Sequence, residues 1–304
     1  MKKICGEFLG AAIVACLMLT MTAIAGDVTD DLKIPDPGKK QIVKLNDGST
    51  LVGRITDIGD DEIKFETDMG EMTIAISRIR EVSEVGAKAF KGGKYWFPNP
   101  NRTRLYFSPT GRTLEGGQGF FSDWYLFFPS VTYGFTSNVS LGVGISIFPG
   151  VDFDKQLLYF TPKIGIRAVK GLDLAVSAMV IRIPDWDEED VFGDDSRSFY
   201  VGTLYGVGTL GSDDHSLTFG LGWGYADDEI ADKPFVIIGG ETRVSRRLSL
   251  VTEGWLMPGV DQPLVIYGTR FFGEGLAIDL GFLTPLGADA IFPGIPFLGF
   301  VYNF

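Results

Sequence analysis

Apolar residues alternate with small or polar residues along much of the chain between about residues 104 and 304. One stretch carries large apolar side chains on every second position, with threonine or glycine between them: Leu217, Phe219, Leu221, Trp223 and Tyr225. The stretches 139–147 and 276–282 show the same pattern. Because successive side chains of a β-strand point to opposite faces, each stretch predicts a strand with one apolar face and one small or polar face.

Such stretches predict about twelve strands, near 103–109, 118–135, 138–148, 156–169, 172–182, 198–210, 216–226, 234–245, 248–258, 263–272, 275–284 and 296–304. Tight turns and longer connections follow one another in alternation, which is typical of barrels with short turns on one side of a membrane and longer loops on the other. The predicted fold is therefore all-β. Residues 103–304 are expected to form a transmembrane antiparallel up-and-down β-barrel that starts and ends at the short-turn side.

Charged residues interrupt the small or polar face of several predicted strands, at Lys163, Arg167, Asp173, Glu241, Arg243, Glu253, Arg270 and Asp279. An apolar exterior and a polar interior would make these residues line the lumen. Arg270 and Asp279 are equally distant from Glu274-Gly275, so a two-residue turn there would make them direct cross-strand partners. These charges could form a structural ion-pair network or a lining that selects solutes, and both interpretations remain open.

The last strand carries aromatic residues on alternate positions up to the end of the sequence, at Phe300, Tyr302 and Phe304. It resembles the closing strand of bacterial outer-membrane β-barrels, which typically ends in phenylalanine. This resemblance implies an outer-membrane location, with membrane lipid and the barrel insertion machinery as partners. It also implies that these three aromatic residues form the assembly signal, while Asn303 faces the lumen.

The first 25 residues have the features of a signal peptide: Lys2 and Lys3, an apolar run over 9–19, and Ala23-Ile24-Ala25 before the predicted cleavage site. Residues 13–16 also loosely resemble a lipoprotein box. We favour cleavage after Ala25 over lipidation of Cys16, because the apolar run continues beyond this cysteine. Residues 26–38 are interpreted as a linker.

Residues 39–86 read as short strands separated by turn signals at intervals of about ten residues. The segment resembles Sm-like and SH3-like small β-barrels, especially in DGSTLVGRI at 47–55. We interpret it as a periplasmic module that could bind the cell-wall layer or a partner protein, followed by a linker over 87–102. Sm-like domains often bind RNA, but export and a net charge of −12 argue against a nucleic-acid partner.

Candidate chemistry is sparse. Both cysteines lie in the predicted signal peptide, which excludes thiolate chemistry in the mature chain. No cofactor or metal is predicted, and the lone His215 falls in a predicted turn, so we expect the protein not to be an enzyme. An acidic loop does not match the calcium-loop spacing and is interpreted as a solvated outer loop: Asp185, Asp187, Glu188, Glu189, Asp190, Asp194 and Asp195.

Two functions fit these features. The first is a passive channel or uptake route for small solutes. The second is a non-conducting structural or interaction barrel whose periplasmic module binds a partner. They differ in whether the lumen is open. If the barrel conducts, the acidic outer loops predict a modest preference for cations.

Overall fold

The computed structural model describes residues 32–86, 89–92, 94–184, 199–226, 229–287 and 292–304. It divides the chain into two compact units, Met1–Phe97 and Pro98–Phe304. Short 3-10 turns occur at Ile76–Arg78 and Phe153–Lys155. In the described part of the chain, no helix is long and apolar enough to cross a membrane.

The first unit contains a five-stranded antiparallel sheet in the order β4-β3-β2-β1-β5. Its strands are β1 (Lys40–Leu45), β2 (Thr50–Ile58), β3 (Glu62–Thr67), β4 (Gly70–Ala75) and β5 (Ile79–Val85). A small hairpin follows, formed by β6 (Phe90–Lys91) and β7 (Lys94–Tyr95). Val43, Ile55, Ile63 and Phe65 are fully buried in one apolar core. The small β-module is thus present, and its Sm-like character stays a prediction.

The second unit is a closed antiparallel barrel of twelve strands with one short extension. Its strands are β8 (Gly119–Trp124), β9 (Ser130–Gly134), β10 (Val139–Ile145), β11 (Leu158–Val169), β12 (Leu172–Ile183), β13 (Phe199–Gly211), β14 (His215–Ala226), the extension β15 (Glu229–Ile230), β16 (Phe235–Ser245), β17 (Leu248–Leu256), β18 (Leu264–Phe272), β19 (Leu276–Pro285) and β20 (Ile295–Asn303). Pairing of β20 with β8 closes the ring.

The predicted strand number is confirmed, but the first two predicted strands were wrong. Residues 103–109 form no wall strand, and the stretch 118–135 is divided into β8 and β9. The chain turns between them through Tyr125 and Leu126, whose φ values of 57° and 66° lie in the left-handed region. Alternation of apolar side chains alone could not reveal this turn, because neither residue is a glycine or a proline.

The outer surface of the barrel is apolar. On β14, Leu217, Phe219 and Leu221 are exposed, whereas the intervening Thr218 is fully buried. The same outward apolar pattern recurs around the wall, for example at Ile164, Ile166, Leu174, Val176, Leu204, Ile238, Leu250, Ile278, Leu280 and Leu298. The alternation along the sequence thus places apolar side chains outside and polar side chains inside.

The connections between strands differ at the two ends of the barrel. Short turns at 135–138, 170–171, 212–214, 246–247 and 273–275 lie at one end, which we call the short-turn end. The connections at the other end are mostly longer. The backbone N–H and carbonyl groups of Phe304 pair with Gly119, so the chain enters β8 and finishes β20 at the short-turn end.

Candidate functional site

The lumen is occupied by the chain itself. Residues 98–118, which we call the lumen hairpin, turn back on themselves through a bridge between Arg104 and Pro109. The N–H of Leu105 donates to the Ser108 carbonyl at 2.8 Å, which closes the tip of the hairpin. Leu105 and Tyr106 are fully buried.

Both ends of the lumen hairpin lie at the short-turn end of the barrel. The Asn99 side chain donates to the Asp213 carbonyl in one short turn at 3.2 Å. The Thr113 hydroxyl donates to the Ser137 carbonyl in another at 2.6 Å. The hairpin therefore enters the barrel and leaves it at the end where β8 begins.

The carboxylate of Glu253 on β17 holds the tip of the lumen hairpin. It accepts the backbone N–H groups of Tyr106, Phe107 and Ser108 at 2.7, 3.0 and 3.1 Å. It also accepts the indole N–H of Trp255 at 2.6 Å. Glu253 is fully buried, so these four donors stabilise its charge in place of a basic side chain.

Arg270 on β18 links the wall to the hairpin beside this tip. Its guanidinium pairs with Asp279 at 2.6 Å and with Glu241 at 2.9 Å. It also donates to the carbonyl of Leu105 at 2.6 Å. From the hairpin side, Arg104 reaches Asp279 at 2.8 Å. Arg270 and Asp279 are opposite each other in the ladder between β18 and β19, which confirms the cross-strand pair predicted from the turn.

Strands β11, β12 and β13 hold the returning arm of the hairpin. Arg112 pairs with Asp173 at 3.4 Å and donates to the Ser212 carbonyl at 2.6 Å. Lys163 donates to the carbonyl oxygen of Arg112. The N–H of Gly111 donates to the Thr209 hydroxyl at 2.8 Å. Contacts therefore reach the hairpin from opposite sides of the wall.

The lumen hairpin completes the charge balance of the interior. Among the described residues, the wall buries five carboxylates, Asp123, Asp173, Glu241, Glu253 and Asp279, but only three cations, Lys163, Arg243 and Arg270. Arg104 and Arg112 of the hairpin are the two further buried cations in contact with this group. Because unpaired buried charges are costly, the occupied lumen is electrostatically complete only with the hairpin in place.

The remaining predicted lumen charges lie at the short-turn end. Arg167 pairs with Asp173 at 3.1 Å, but its side chain is 65% exposed. Arg243 is buried and pairs with Asp214 at 3.0 Å. The Asn99 side chain of the hairpin donates to Glu241 at 2.7 Å. The acidic loop predicted over 185–195 lies outside the described residues, and the described residues contain no cluster suited to a metal ion.

Apolar packing surrounds the tip of the lumen hairpin. Tyr106 and Phe107 make edge-on contacts with Phe297 of β20, with ring centroids 4.9 and 5.0 Å apart. Gly239 on β16 makes room for Leu105, because a β-carbon there would lie 2.5 Å from the Leu105 side chain. The tip is therefore fitted to the wall by shape as well as by charge.

A cavity of about 80 Å³ remains between the hairpin and strands β8 to β13. Many of its lining side chains carry hydroxyls: Ser122, Ser130, Thr132, Ser140, Thr161 and Ser177. Arg104 and Lys163 also line it. A cavity of this size with hydroxyls in its lining can hold several water molecules. The half of the lumen beside β14 to β20 is, by contrast, closed by the ion pairs and the apolar tip.

The sequence contains a signal for the hairpin that an analysis of alternating residues alone misses. Pro98, Pro100 and Pro109 disfavour a wall strand, because proline cannot donate to a ladder of hydrogen bonds. The same segment carries three arginines, at 102, 104 and 112, but the charges predicted to line the lumen were balanced, with four acidic and four basic residues. The prolines would have indicated that this segment does not join the wall, whereas the balanced predicted charges gave no sign that its arginines were needed inside.

No protein-family model and no curated protein matches the chain. Similar solved structures include outer-membrane proteins of low sequence identity. A loop-deletion mutant of OmpT from Vibrio cholerae has 12% identity and a TM-score of 0.33, and the match covers 88% of this chain and 96% of that one. Omp33 of Acinetobacter baumannii has 10% identity, a TM-score of 0.34 and coverage of 62% and 95%. OmpF of Salmonella typhi in complex with daunomycin has 9% identity, a TM-score of 0.32 and coverage of 88% and 95%.

The conclusion from the sequence that the protein is not an enzyme was wrong. The similar structures include OmpT beside porins, and together they establish neither an enzymatic activity nor its absence. The lone histidine could not decide the matter. His215 begins β14 and is exposed, but a pair of carboxylates can act as general acid and base without a histidine.

Proposed function

We propose that the protein is an outer-membrane β-barrel whose lumen is closed by its own hairpin. The observation that carries the proposal is the contact of Glu253 and Arg270 with the backbone of residues 104–108, deep inside the closed ring. In this conformation the barrel acts as a membrane anchor for the N-terminal module rather than as an open pore.

The membrane assignment is supported by the outer surface of the barrel. Strands β11 to β14 contain 12 or 13 residues each, enough to cross a bilayer when tilted. Their exposed side chains are largely leucine, isoleucine, valine and aromatic residues. A soluble protein rarely exposes such a continuous apolar belt, whereas lipid would solvate it.

Orientation follows from the connections between strands. In bacterial barrels of this class the short turns face the periplasm. Residue 99 lies beside the short turn at 212–214, so the chain that leads to the N-terminal module leaves the barrel on the side we assign to the periplasm. We propose that the module binds the cell-wall layer or a periplasmic protein there.

A second function, slow passage of small polar solutes, is favoured by the hydroxyl-lined cavity beside the hairpin. The cavity could belong to a route that opens when the hairpin shifts. In that case the acidic outer loops are expected to favour cations, and the preference should fade at high ionic strength.

Planar-bilayer recordings distinguish the two functions. The wild-type barrel should show no steady open conductance, since the hairpin fills the lumen. Glu253→Gln should loosen the tip and produce frequent openings if a solute route exists. Glu229→Gln, which alters an exposed carboxylate on β15, is the matched control and should behave as wild type.

Each recording needs the same amount of folded barrel, verified by heat-modifiable migration on gels. A steady open state of the wild type would contradict closure of the lumen and favour the passive channel. Closed recordings from both variants would support the anchoring function.

A further inference from the structure

The charged side chains that line the cavity beside the lumen hairpin are all positive. Two basic side chains line it, Arg104 and Lys163, and no carboxylate does so. Both are buried, with exposures of 6% and 7%. Asp279 pairs with one nitrogen of Arg104 at 2.8 Å. Lys163 donates to two backbone carbonyls, of Arg112 and Thr103, and has no carboxylate within 4.0 Å among the described residues.

Three buried donor atoms, on residues that line this cavity, have no acceptor among the described residues. The Nε and Nη1 atoms of Arg104 are buried without a hydrogen-bond partner among the described residues. The indole Nε1 of Trp124 is also buried without one there. Buried polar groups are normally satisfied, and an unmade bond to a charged group is costly. A cavity with spare donors and spare positive charge therefore lacks an acceptor that carries negative charge.

The size and the remaining lining restrict what that acceptor could be. A volume of about 80 Å³ admits a small ion with a few waters. The hydroxyl-bearing residues Thr132, Ser140 and Thr161 also line the cavity, and Ser140 is the cross-strand partner of Lys163. Their hydroxyls can donate or accept as a ligand requires. The aromatic rings of Trp124 and Tyr159, 6.3 Å apart and stacked, form another part of its wall.

We infer that the lumen binds a small oxyanion of the phosphate or carboxylate class between Arg104, Lys163 and Trp124. The oxyanion accepts hydrogen bonds from the unpartnered guanidinium and indole N–H groups and balances the charge of Lys163. This site rests on the proposed closure of the lumen, because it is formed by the hairpin in its closed position.

Isothermal titration of the folded, detergent-solubilised protein with inorganic phosphate tests the inference, at constant pH and ionic strength. Wild type should bind with a saturable one-site isotherm. Lys163→Met should weaken binding about tenfold or more, because it removes a charge-assisted contact. Trp124→Phe keeps the aromatic ring but removes the indole donor, and should weaken binding by a smaller factor.

Lys170→Met is the matched control, since this lysine is exposed in a turn and its loss should leave the affinity unchanged. Trp124→Phe also covers the case in which Lys163→Met fails to fold. Crystals grown with selenate should show an anomalous peak in the cavity. Absence of saturable binding in wild type, or equal affinity in wild type and Trp124→Phe, would overturn the site.

Discussion

At the scale of single residues, Glu253 is the group on which the hairpin depends most. Its carboxylate receives three successive backbone N–H groups at the tip and an indole N–H. Hydrogen bonds to a charged group contribute more than neutral ones. A full set of donors around one buried carboxylate therefore fixes the tip in a single position.

Replacing Glu253 by glutamine should lower the stability of the folded barrel by about 3 kcal/mol. The charge-assisted hydrogen bonds become neutral, and the side-chain NH2 group of the glutamine faces other hydrogen-bond donors. The temperature at which the heat-modifiable form is lost in detergent measures this. Glu229→Gln should leave that temperature unchanged. Equal temperatures for the two variants would show that Glu253 does not hold the hairpin.

A second residue-scale prediction concerns Gly239, where a β-carbon would lie 2.5 Å from Leu105 and 2.6 Å from the Thr252 carbonyl. Gly239→Ala should cost about 2 kcal/mol, because the wall or the hairpin must move. Gly206→Ala is the control, since nothing lies within 4 Å of its new methyl group. Thermal unfolding of both variants tests this. If Gly239→Ala lowers the unfolding temperature no more than Gly206→Ala does, Leu105 is not packed against Gly239.

The sequence predicted some residue contacts and missed others for a physical reason. Arg270 and Asp279 are neighbours through a tight turn, so their pairing follows from local spacing. Glu253 finds its partners about 145 residues away in the chain, at the backbone of Ser108. Backbone donors carry no residue signature, so no pattern of side chains could indicate this contact.

At the scale of elements, the closing strand β20 is explained by its two faces. Val301 is fully buried, whereas Tyr302 and Phe304 are about half exposed. The alternation in the sequence predicted these faces. By contrast, residues 103–109 alternate in the same way but lie inside the barrel. Alternation indicates an extended backbone, and a hairpin arm is extended whether or not it joins the wall.

Phe304→Asp should reduce the amount of assembled protein in the outer membrane severalfold, whereas Asn303→Asp should not. The Phe304 side chain is exposed on the apolar face, where a charge is costly in lipid. Asn303 instead donates to the Gly275 carbonyl at the short-turn end. Quantitative immunoblots of outer-membrane fractions compare the two, and similar levels would contradict the assigned faces. The substitution preserves the backbone pairing of residue 304 with Gly119.

At the scale of the whole molecule, the barrel and its hairpin form one electrostatic and packing unit. Strand number and the apolar exterior were predictable, because both follow from repeated local alternation. The occupied lumen was not, because it depends on which segment fills the interior of a ring that closes only when all strands are present. The lumen hairpin contacts β11 to β13 on one side and β16 to β20 on the other.

Cysteine labelling tests most directly whether residues 98–118 close the lumen. Residues 26–304 contain no native cysteine, so one can be introduced as Ser108→Cys at the hairpin tip, where the native residue is 1% exposed. Met69→Cys, at a fully exposed position of the N-terminal module, is the control. In the folded protein, a polar maleimide should label Cys at 69 rapidly and leave position 108 unmodified, and both should react after unfolding. Rapid labelling of position 108 in the folded barrel would contradict the closed lumen.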